Sequence, residues 1–179
     1  MPAYNNNSIL DTIARDTQAG FRMLVHEYKE PVYWHIRRIT VLHHDAEDAL
    51  QETFLRIYRN LGKLNRDMSL TAWIFRIATN EALRLRQHNK SLIVPLDEDT
   101  PIDHLFADEY CDYTDAEAVT LQRAILSLPP KQQLAFNLRY YNDMDYDTIA
   151  DIIKSNASTV KANYHAAKEK IIRYINSHF

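Results

Sequence analysis

The chain has 179 residues, is 46% hydrophobic and 25% charged, and carries a formal net charge of -3, a composition that excludes a disordered chain and allows one or two small domains with real cores. Only two glycines and six prolines leave little turn chemistry, so a nearly all-α fold is expected. The single cysteine, Cys111, excludes an internal disulfide and a cysteine-rich zinc site, and with no secretory signal and no apolar stretch of spanning length a cytoplasmic protein is expected.

In chain order, Gly20 to Tyr28 and Pro31 to Leu42 read as two moderately periodic helices, with Phe21, Leu24, Val25 and Tyr28 on one face. A stronger helix runs from Asp45, an N-cap with Asp48 three residues on, to Leu61, where Gly62 stops it. Its apolar stripe is Leu50, Phe54, Ile57 and Leu61. The other side presents Asp48, Gln51, Glu52 and Leu55. Acids gathered around one exposed leucine fit either a solvated face or a docking surface for a basic partner, with Leu55 as its apolar anchor. After a polar loop from Lys63 to Met68, Ser69 caps a helix reaching about Asn89. Trp73, Arg76, Asn80 and Arg84 fall at i, i+3, i+7 and i+11 of that helix. Guanidiniums suit phosphates, and amides and aromatics suit unpaired bases, so the stripe fits a separated DNA strand. Arg76 and Asn80 are the better candidates, because an aromatic as large as Trp73 usually packs inside.

The acidity of the chain is confined to one segment. Residues 1–92 hold 13 lysines and arginines against 10 carboxylates, and residues 118–179 hold 8 against 5. Residues 93–117 hold nine acids and no base: Asp97, Glu98, Asp99, Asp103, Asp108, Glu109, Asp112, Asp115 and Glu117. Two basic domains therefore flank an acidic linker, which Pro95 and Pro101 favour as extended. It reads as a solvating tether, or as a segment that enters a basic channel of a partner or masks the basic domains in the free protein.

From Leu128 to Ile172 the pattern is that of a helix-turn-helix. Ile149, Ile152 and Ile153 mark one amphipathic helix, and Val160, Tyr164, Ala167, Ile171 and Ile175 another. Asp145 can cap the first and Ser155 or Asn156 the second, leaving only Lys154 to Asn156 for the turn. The second helix would expose Ser158, Thr159, Lys161, Ala162, Asn163, His165 and Lys168. Hydroxyls, amides and lysines suit base edges and phosphates. An ordinary helical hairpin with a solvated face is the plainer reading of this segment taken alone.

Two blocks of sequence carry a family resemblance. Asp45-Ala46-Glu47-Asp48-Ala49-Leu50-Gln51-Glu52-Thr53-Phe54-Leu55-Arg56-Ile57-Tyr58, followed by Ala72-Trp73-Ile74-Phe75-Arg76-Ile77-Ala78-Thr79-Asn80, resembles region 2 of the extracytoplasmic-function sigma factors. Leu128-Pro129-Pro130-Lys131-Gln132-Gln133 through Leu138-Arg139-Tyr140-Tyr141, then Tyr146 to Ile152 and Ser158-Thr159-Val160-Lys161, resembles region 4. The resemblance implies an all-α chain of two small helical domains, residues 1–92 and 118–179, joined by the linker 93–117. It implies a bacterial transcription initiation factor that binds core RNA polymerase and has neither enzymatic activity nor a cofactor. Asp45, Asp48, Gln51, Glu52, Phe54 and Leu55 would then meet the clamp helices of the largest polymerase subunit. Lys63, Asn65, Arg66 and Asp67 would capture a flipped base of the minus-10 element, with Trp73, Arg76, Asn80 and Arg84 along the opened strand. The second helix of the helix-turn-helix would read the minus-35 element, the acidic linker would thread toward the polymerase active site and RNA exit, and an anti-sigma factor is an expected partner.

The chain departs from the family pattern at several positions. Asn163, Ala166 and Lys168 stand where arginines are common, which lowers the capacity for bidentate reading of guanine and favours adenine opposite Asn163. Gln133 also stands where arginine is frequent, and Glu81 replaces an apolar residue, so looser packing of that helix is expected. Two rival readings compete. One is a helix-turn-helix regulator that is not a polymerase subunit and whose N-terminal half is a receiver or dimerisation domain; a receiver would need a strand pattern. The other is a metal-dependent phosphohydrolase using His43-His44-Asp45 beside His26 and His35, although adjacent histidines point to different sides of a helix.

Overall fold

The computed structural model describes residues 6–64, 69–90 and 116–178, and all regular structure among them is helical. Two compact units divide the chain, one within Met1–Leu96 and the other within Asp97–Phe179. The first unit contains α1 (Asn6–Arg15), α2 (Thr17–Thr40), α3 (His43–Asn60), a single 3-10 turn (Leu61–Lys63) and α4 (Leu70–Lys90). The second contains α5 (Ala116–Leu126), α6 (Pro130–Tyr140), α7 (Tyr146–Ile153) and α8 (Ala157–His178).

The central helix of the first unit is α2, which packs on α1, α3 and α4. Asp16 caps it by accepting from the amides of Gln18 and Ala19, both at 3.0 Å. Here the structure corrects the expectation of two helices, because α2 runs unbroken through Pro31. An interior proline costs about 3 kcal/mol through the lost hydrogen bond and the ring clash. Tyr28 and Val32 on either side of it are wholly buried, and each such burial is worth roughly 1.5–3 kcal/mol, so tertiary packing wins over the local break. The Tyr28 hydroxyl also donates to Asn6 Oδ1 at 2.6 Å and lies 2.7 Å from Thr71 Oγ1, tying α2 to the start of α1 and of α4. At Gly20 a Cβ would lie 2.5 Å from the Ile13 backbone nitrogen, so the absence of a side chain lets α1 lie directly on α2.

The apolar face of α3 is also corrected. Its buried positions are Asp45, Ala46, Ala49, Thr53 and Ile57, a stripe of small residues. Leu50 and Phe54 are only half-buried and flank that stripe. The helix begins at His43, with Leu42 in the N-cap position and no side-chain cap. Asp45 is therefore not the N-cap; it lies within the first turn with its side chain 8% exposed, 3.1 Å from His44 Nε2. Ser69 does cap α4, its Oγ accepting from the Ala72 amide at 3.2 Å.

In the second unit α8 packs on α5, α6 and α7. The core is Ala124, Ile125, Leu128, Phe136, Ala167 and Ile171, with Leu121, Tyr141, Tyr164, Tyr174 and Ile175 against it. The periodic residues Ile149, Ile152, Val160, Ala167 and Ile171 are all buried, as their spacing requires.

His35 is fully buried between α2 and α4. Thr79 Oγ1 donates to the Phe75 carbonyl at 2.7 Å, which leaves its lone pairs for an Nε2–H of His35 at 2.8 Å. Burial, and secondarily the charge of Arg38, lower the imidazole from 6.5 to about 3. The unfolded chain therefore takes up the proton first: stability is fully present above pH 6.5 and is lost as pH falls toward 3. Between pH 7 and pH 5 this residue is expected to remove about 2 kcal/mol from the first unit. Both tryptophans, Trp34 and Trp73, lie in that unit, so urea titrations followed by their fluorescence read it selectively. His35→Gln is expected to abolish most of the difference, and an unchanged pH dependence in the variant would refute the assignment.

Candidate nucleic-acid interface

The helix-turn-helix is built from α7, a three-residue turn and α8. Asp145 accepts from the Thr148 amide at 2.7 Å and from its hydroxyl at 2.9 Å, and the amide bond holds this carboxyl below the usual carboxylate range. The turn begins at Lys154, which takes the left-handed conformation at φ 53. Of the two expected caps for the second helix, Asn156 is the one formed: its Oδ1 accepts from the Thr159 amide at 2.8 Å. With Val160, Ala167 and Ile171 turned inward, Ser158, Thr159, Lys161, Ala162, His165 and Lys168 are exposed and Asn163 is half-buried at the edge. The face is held rigidly from beneath. Tyr164 stacks on Phe136 at 6.0 Å, and Lys168 Nζ sits 5.8 Å over the Tyr164 ring. A rigid helix with short polar side chains on one face can enter a major groove and present them to base edges.

In the first unit, α3 stands between two concavities. On one flank it forms a groove of about 660 Å³ with α2, lined by Phe21, Val25, Leu50, Phe54, Leu55 and Tyr58 and edged by Arg22, Lys29, Glu47 and Gln51. Phe21 contacts Tyr58 edge-on at 5.0 Å and Phe54 at 6.5 Å. Leu55 is 41% and Tyr58 51% exposed, so apolar area lies open to a partner. Asp48, Gln51 and Leu55 lie exposed on α3, while Glu52 is half-buried and bonded to Arg56. Phe21 and Tyr58 were missed as members of this surface. The spacing Leu50, Phe54, Tyr58 at i, i+4, i+8 was the available signal.

On its other flank α3 and the turn after it form a polar concavity of about 240 Å³ with α4. Arg56, Asn60 and Lys63 line one side and Trp73, Ile77, Asn80 and Glu81 the other. The predicted stripe is thus split. Trp73 and Asn80 line the cavity, Trp73 half-buried and Asn80 exposed, while Arg76 is half-buried. Arg84 is exposed but bonded through Nε to Glu81 at 2.9 Å. Glu81 does not loosen the helix, as expected of it: it is buried and satisfied by two arginines. Asn65, Arg66 and Asp67, and the acidic linker with Cys111, lie outside the described residues.

The histidines of the rival metal site do not converge. His35 is buried against Thr79, whereas His43 bonds the Tyr33 hydroxyl at 2.7 Å and faces Glu47 at 3.3 Å. No helix among the described residues is long and apolar enough to cross a membrane.

The described residues are thus all-helical, with a helix-turn-helix in one unit and, in the other, an apolar groove and a polar concavity on opposite flanks of one helix. The family models for sigma-70 region 2 and sigma-70 region 4 match residues 24–91 and 118–171. Relatives include the RNA polymerase sigma-H factor of Pseudomonas aeruginosa, 27% identical over 176 residues, covering 93% of this chain and 91% of that one. The ECF RNA polymerase sigma factor SigW of Bacillus subtilis is 26% identical over 169 residues, covering 89% and 90%. Among solved structures, CnrH in complex with the cytosolic domain of CnrY has the same fold, with a TM-score of 0.73 at 16% identity over 94% of this chain and 96% of that one. So does the sigma factor RpoE in complex with the anti-sigma factor NepR from Bartonella quintana, with a TM-score of 0.69 at 17% identity over 87% and 96%. The chain belongs to the sigma-70 family, as an extracytoplasmic-function sigma factor. It binds core RNA polymerase, directs promoter recognition and initiation, and is not an enzyme.

Removing the α8 cap by Asn156→Ala is expected to cost about 1 kcal/mol. Hydrogen exchange followed by mass spectrometry should show the amides from Ala157 to Val160 exchanging about fivefold faster; unchanged protection would show that the cap contributes nothing.

Proposed function

We propose that residues 1–92 engage polymerase and the minus-10 element, that residues 93–117 link the two domains, and that residues 118–179 read the minus-35 element from a cytoplasmic protein. The observation that carries this reading is the two-sided geometry of α3. Its apolar groove and its polar concavity lie on opposite flanks, so one helix can meet a protein and a nucleic acid at once. Asp48, Gln51, Glu52, Phe54 and Leu55 form the polymerase-docking face, with Asp45 buried at the start of the helix. Carboxylates around an apolar anchor suit a basic helical partner, the acids steering the encounter and the leucine supplying buried area. An anti-sigma factor covering that face would compete with polymerase.

In the opened promoter, Lys63, Trp73, Arg76, Asn80 and Arg84, with Asn65, Arg66 and Asp67, hold the separated minus-10 strand. Extruding a base costs a few kcal/mol, which cavity contacts must offset. Ser158, Thr159, Lys161, Ala162, Asn163, His165 and Lys168 contact the minus-35 duplex.

The deciding experiment is in vitro transcription by bacterial core RNA polymerase on genomic fragments, with and without this protein. Selective initiation is expected only with it, and its absence would remove the reading. Leu55→Ala is expected to weaken binding to core polymerase by about 2 kcal/mol, as for a central apolar anchor, measured by fluorescence anisotropy of the labelled protein; unchanged affinity would displace Leu55 from the interface. An Asn amide pairs bidentately with adenine, so Asn163→Ala is expected to lose roughly 1–3 kcal/mol of discrimination at one minus-35 position. Equal selection of a randomised minus-35 library by wild type and variant would rule that contact out.

A further inference from the structure

The concavity between α3 and α4 contains a carboxylate that is almost wholly buried and is held by two arginines that are not. The side chain of Glu81 is 3% exposed, against 47% for Arg56 and 58% for Arg84. Arg84 Nε donates to Glu81 Oε2 at 2.9 Å, and Arg56 Nε lies 2.9 Å from Glu81 Oε1 in an ion pair. The single hydrogen on Arg56 Nε is donated to Glu52 Oε1 at 3.1 Å. Each arginine is thus gripped by its inner nitrogen. A guanidinium is a rigid plane with five donors, so a bond at Nε orients the plane while the terminal nitrogens keep their hydrogens for another acceptor.

The arrangement is a poor device for stability. Taking a carboxylate out of water costs about as much as its ion pairs return, and a well-packed apolar side chain would serve as well. Its useful product is the orientation of two cations, Arg56 in the cavity wall beside Asn60, Lys63 and Asn80, and Arg84 bonded to the Glu81 that lines it. A pair of terminal guanidinium nitrogens matches two oxygens of one phosphate.

We propose that Glu81 is a positioning residue which aims Arg56 and Arg84 at phosphates of a separated DNA strand, and that Arg56, on the helix otherwise given to polymerase, is itself a DNA contact. The inference rests on the promoter-opening reading above. It places the boundary between the protein partner and the nucleic acid along α3, with Leu50, Phe54 and Tyr58 on one flank and Arg56 and Asn60 on the other.

The test uses holoenzyme reconstituted from bacterial core polymerase and the full chain. Its probe is fluorescein-labelled fork-junction DNA whose single-stranded arm comes from promoters that wild-type holoenzyme selects out of a randomised pool. Arg56→Gln is expected to weaken binding about three- to tenfold and to reduce the slope of log affinity against log salt by about 0.7, the value for one lost phosphate contact on a single strand. Affinity for core polymerase alone is measured in parallel, since Glu52 loses its Arg56 partner, and the DNA effect is read with holoenzyme at saturating core. Glu81→Gln is expected to weaken DNA binding similarly in the wild-type background and to add nothing in an Arg56→Gln, Arg84→Gln background, because it acts through those two side chains. A purely structural Glu81 would lower the urea midpoint and leave the salt slope unchanged, which would overturn its positioning role. Should Glu81→Gln fail to fold, Arg56→Gln decides: unchanged affinity and unchanged slope overturn the proposal while wild type still binds the arm. Failure of wild-type holoenzyme to bind the arm overturns the functional reading, and this inference with it.

Discussion

The close approach of α2, α3 and α4 depends on small side chains along one face of α3. Ala46, Ala49 and Thr53 are buried there with Ile57, and the Thr53 hydroxyl is satisfied within its own helix by the Ala49 carbonyl at 2.6 Å. With small residues at the seam the helices pack tightly, and the bulky Leu50, Phe54 and Tyr58 are displaced to the flank. Both concavities of the first unit follow from that arrangement. The apolar groove forms because large side chains on α3 meet Phe21 and Val25 on α2 without closing over them. The opposite flank brings Arg56 to within 2.9 Å of a carboxylate on α4.

Several polar groups in the interior of this unit bond side chains of a different helix. The Tyr28 hydroxyl joins residues of α1 and the start of α4, His35 joins Thr79, and Glu81 joins Arg56. Such groups add little net stability when satisfied but penalise any register that leaves them unpaired. They therefore specify the arrangement of four helices whose apolar seams alone would tolerate sliding. The second unit meets the same need with aromatic stacking, where Phe136 stacks with Tyr140 at 5.1 Å and with Tyr164 of α8 at 6.0 Å.

The amphipathic helices of the second unit could be read directly. Ile149, Ile152, Val160, Ala167 and Ile171 carry a 3.6-residue period, Asp145 and Asn156 are strong caps, and these local signals agree with the packing that forms. Reading failed where local and tertiary forces disagree. Pro31 is a helix breaker by every local rule, yet buried neighbours carry the helix through it. The stripe Leu50, Phe54, Ile57 is the more hydrophobic, yet Ala46, Ala49, Thr53 and Ile57 are the positions the neighbouring helices bury. In α1, Asn6–Arg15, only Ile9 is fully buried, and the helix depends on Gly20 of α2 for its seat.

The sequence by itself determined the helical class, the two basic segments around an acidic one, the helix-turn-helix and the family, because each depends on composition, period or residue order along one element. Only the tertiary structure decided which flank of α3 is open, that Asp45 is buried, and that Glu81 is a satisfied anion and not a packing defect. Those facts depend on what a neighbouring helix brings to within hydrogen-bond distance. A buried carboxylate has the same letter in the sequence as a solvated one, and its partner Arg56 lies 25 residues earlier on another helix, where no periodicity along α4 could register it.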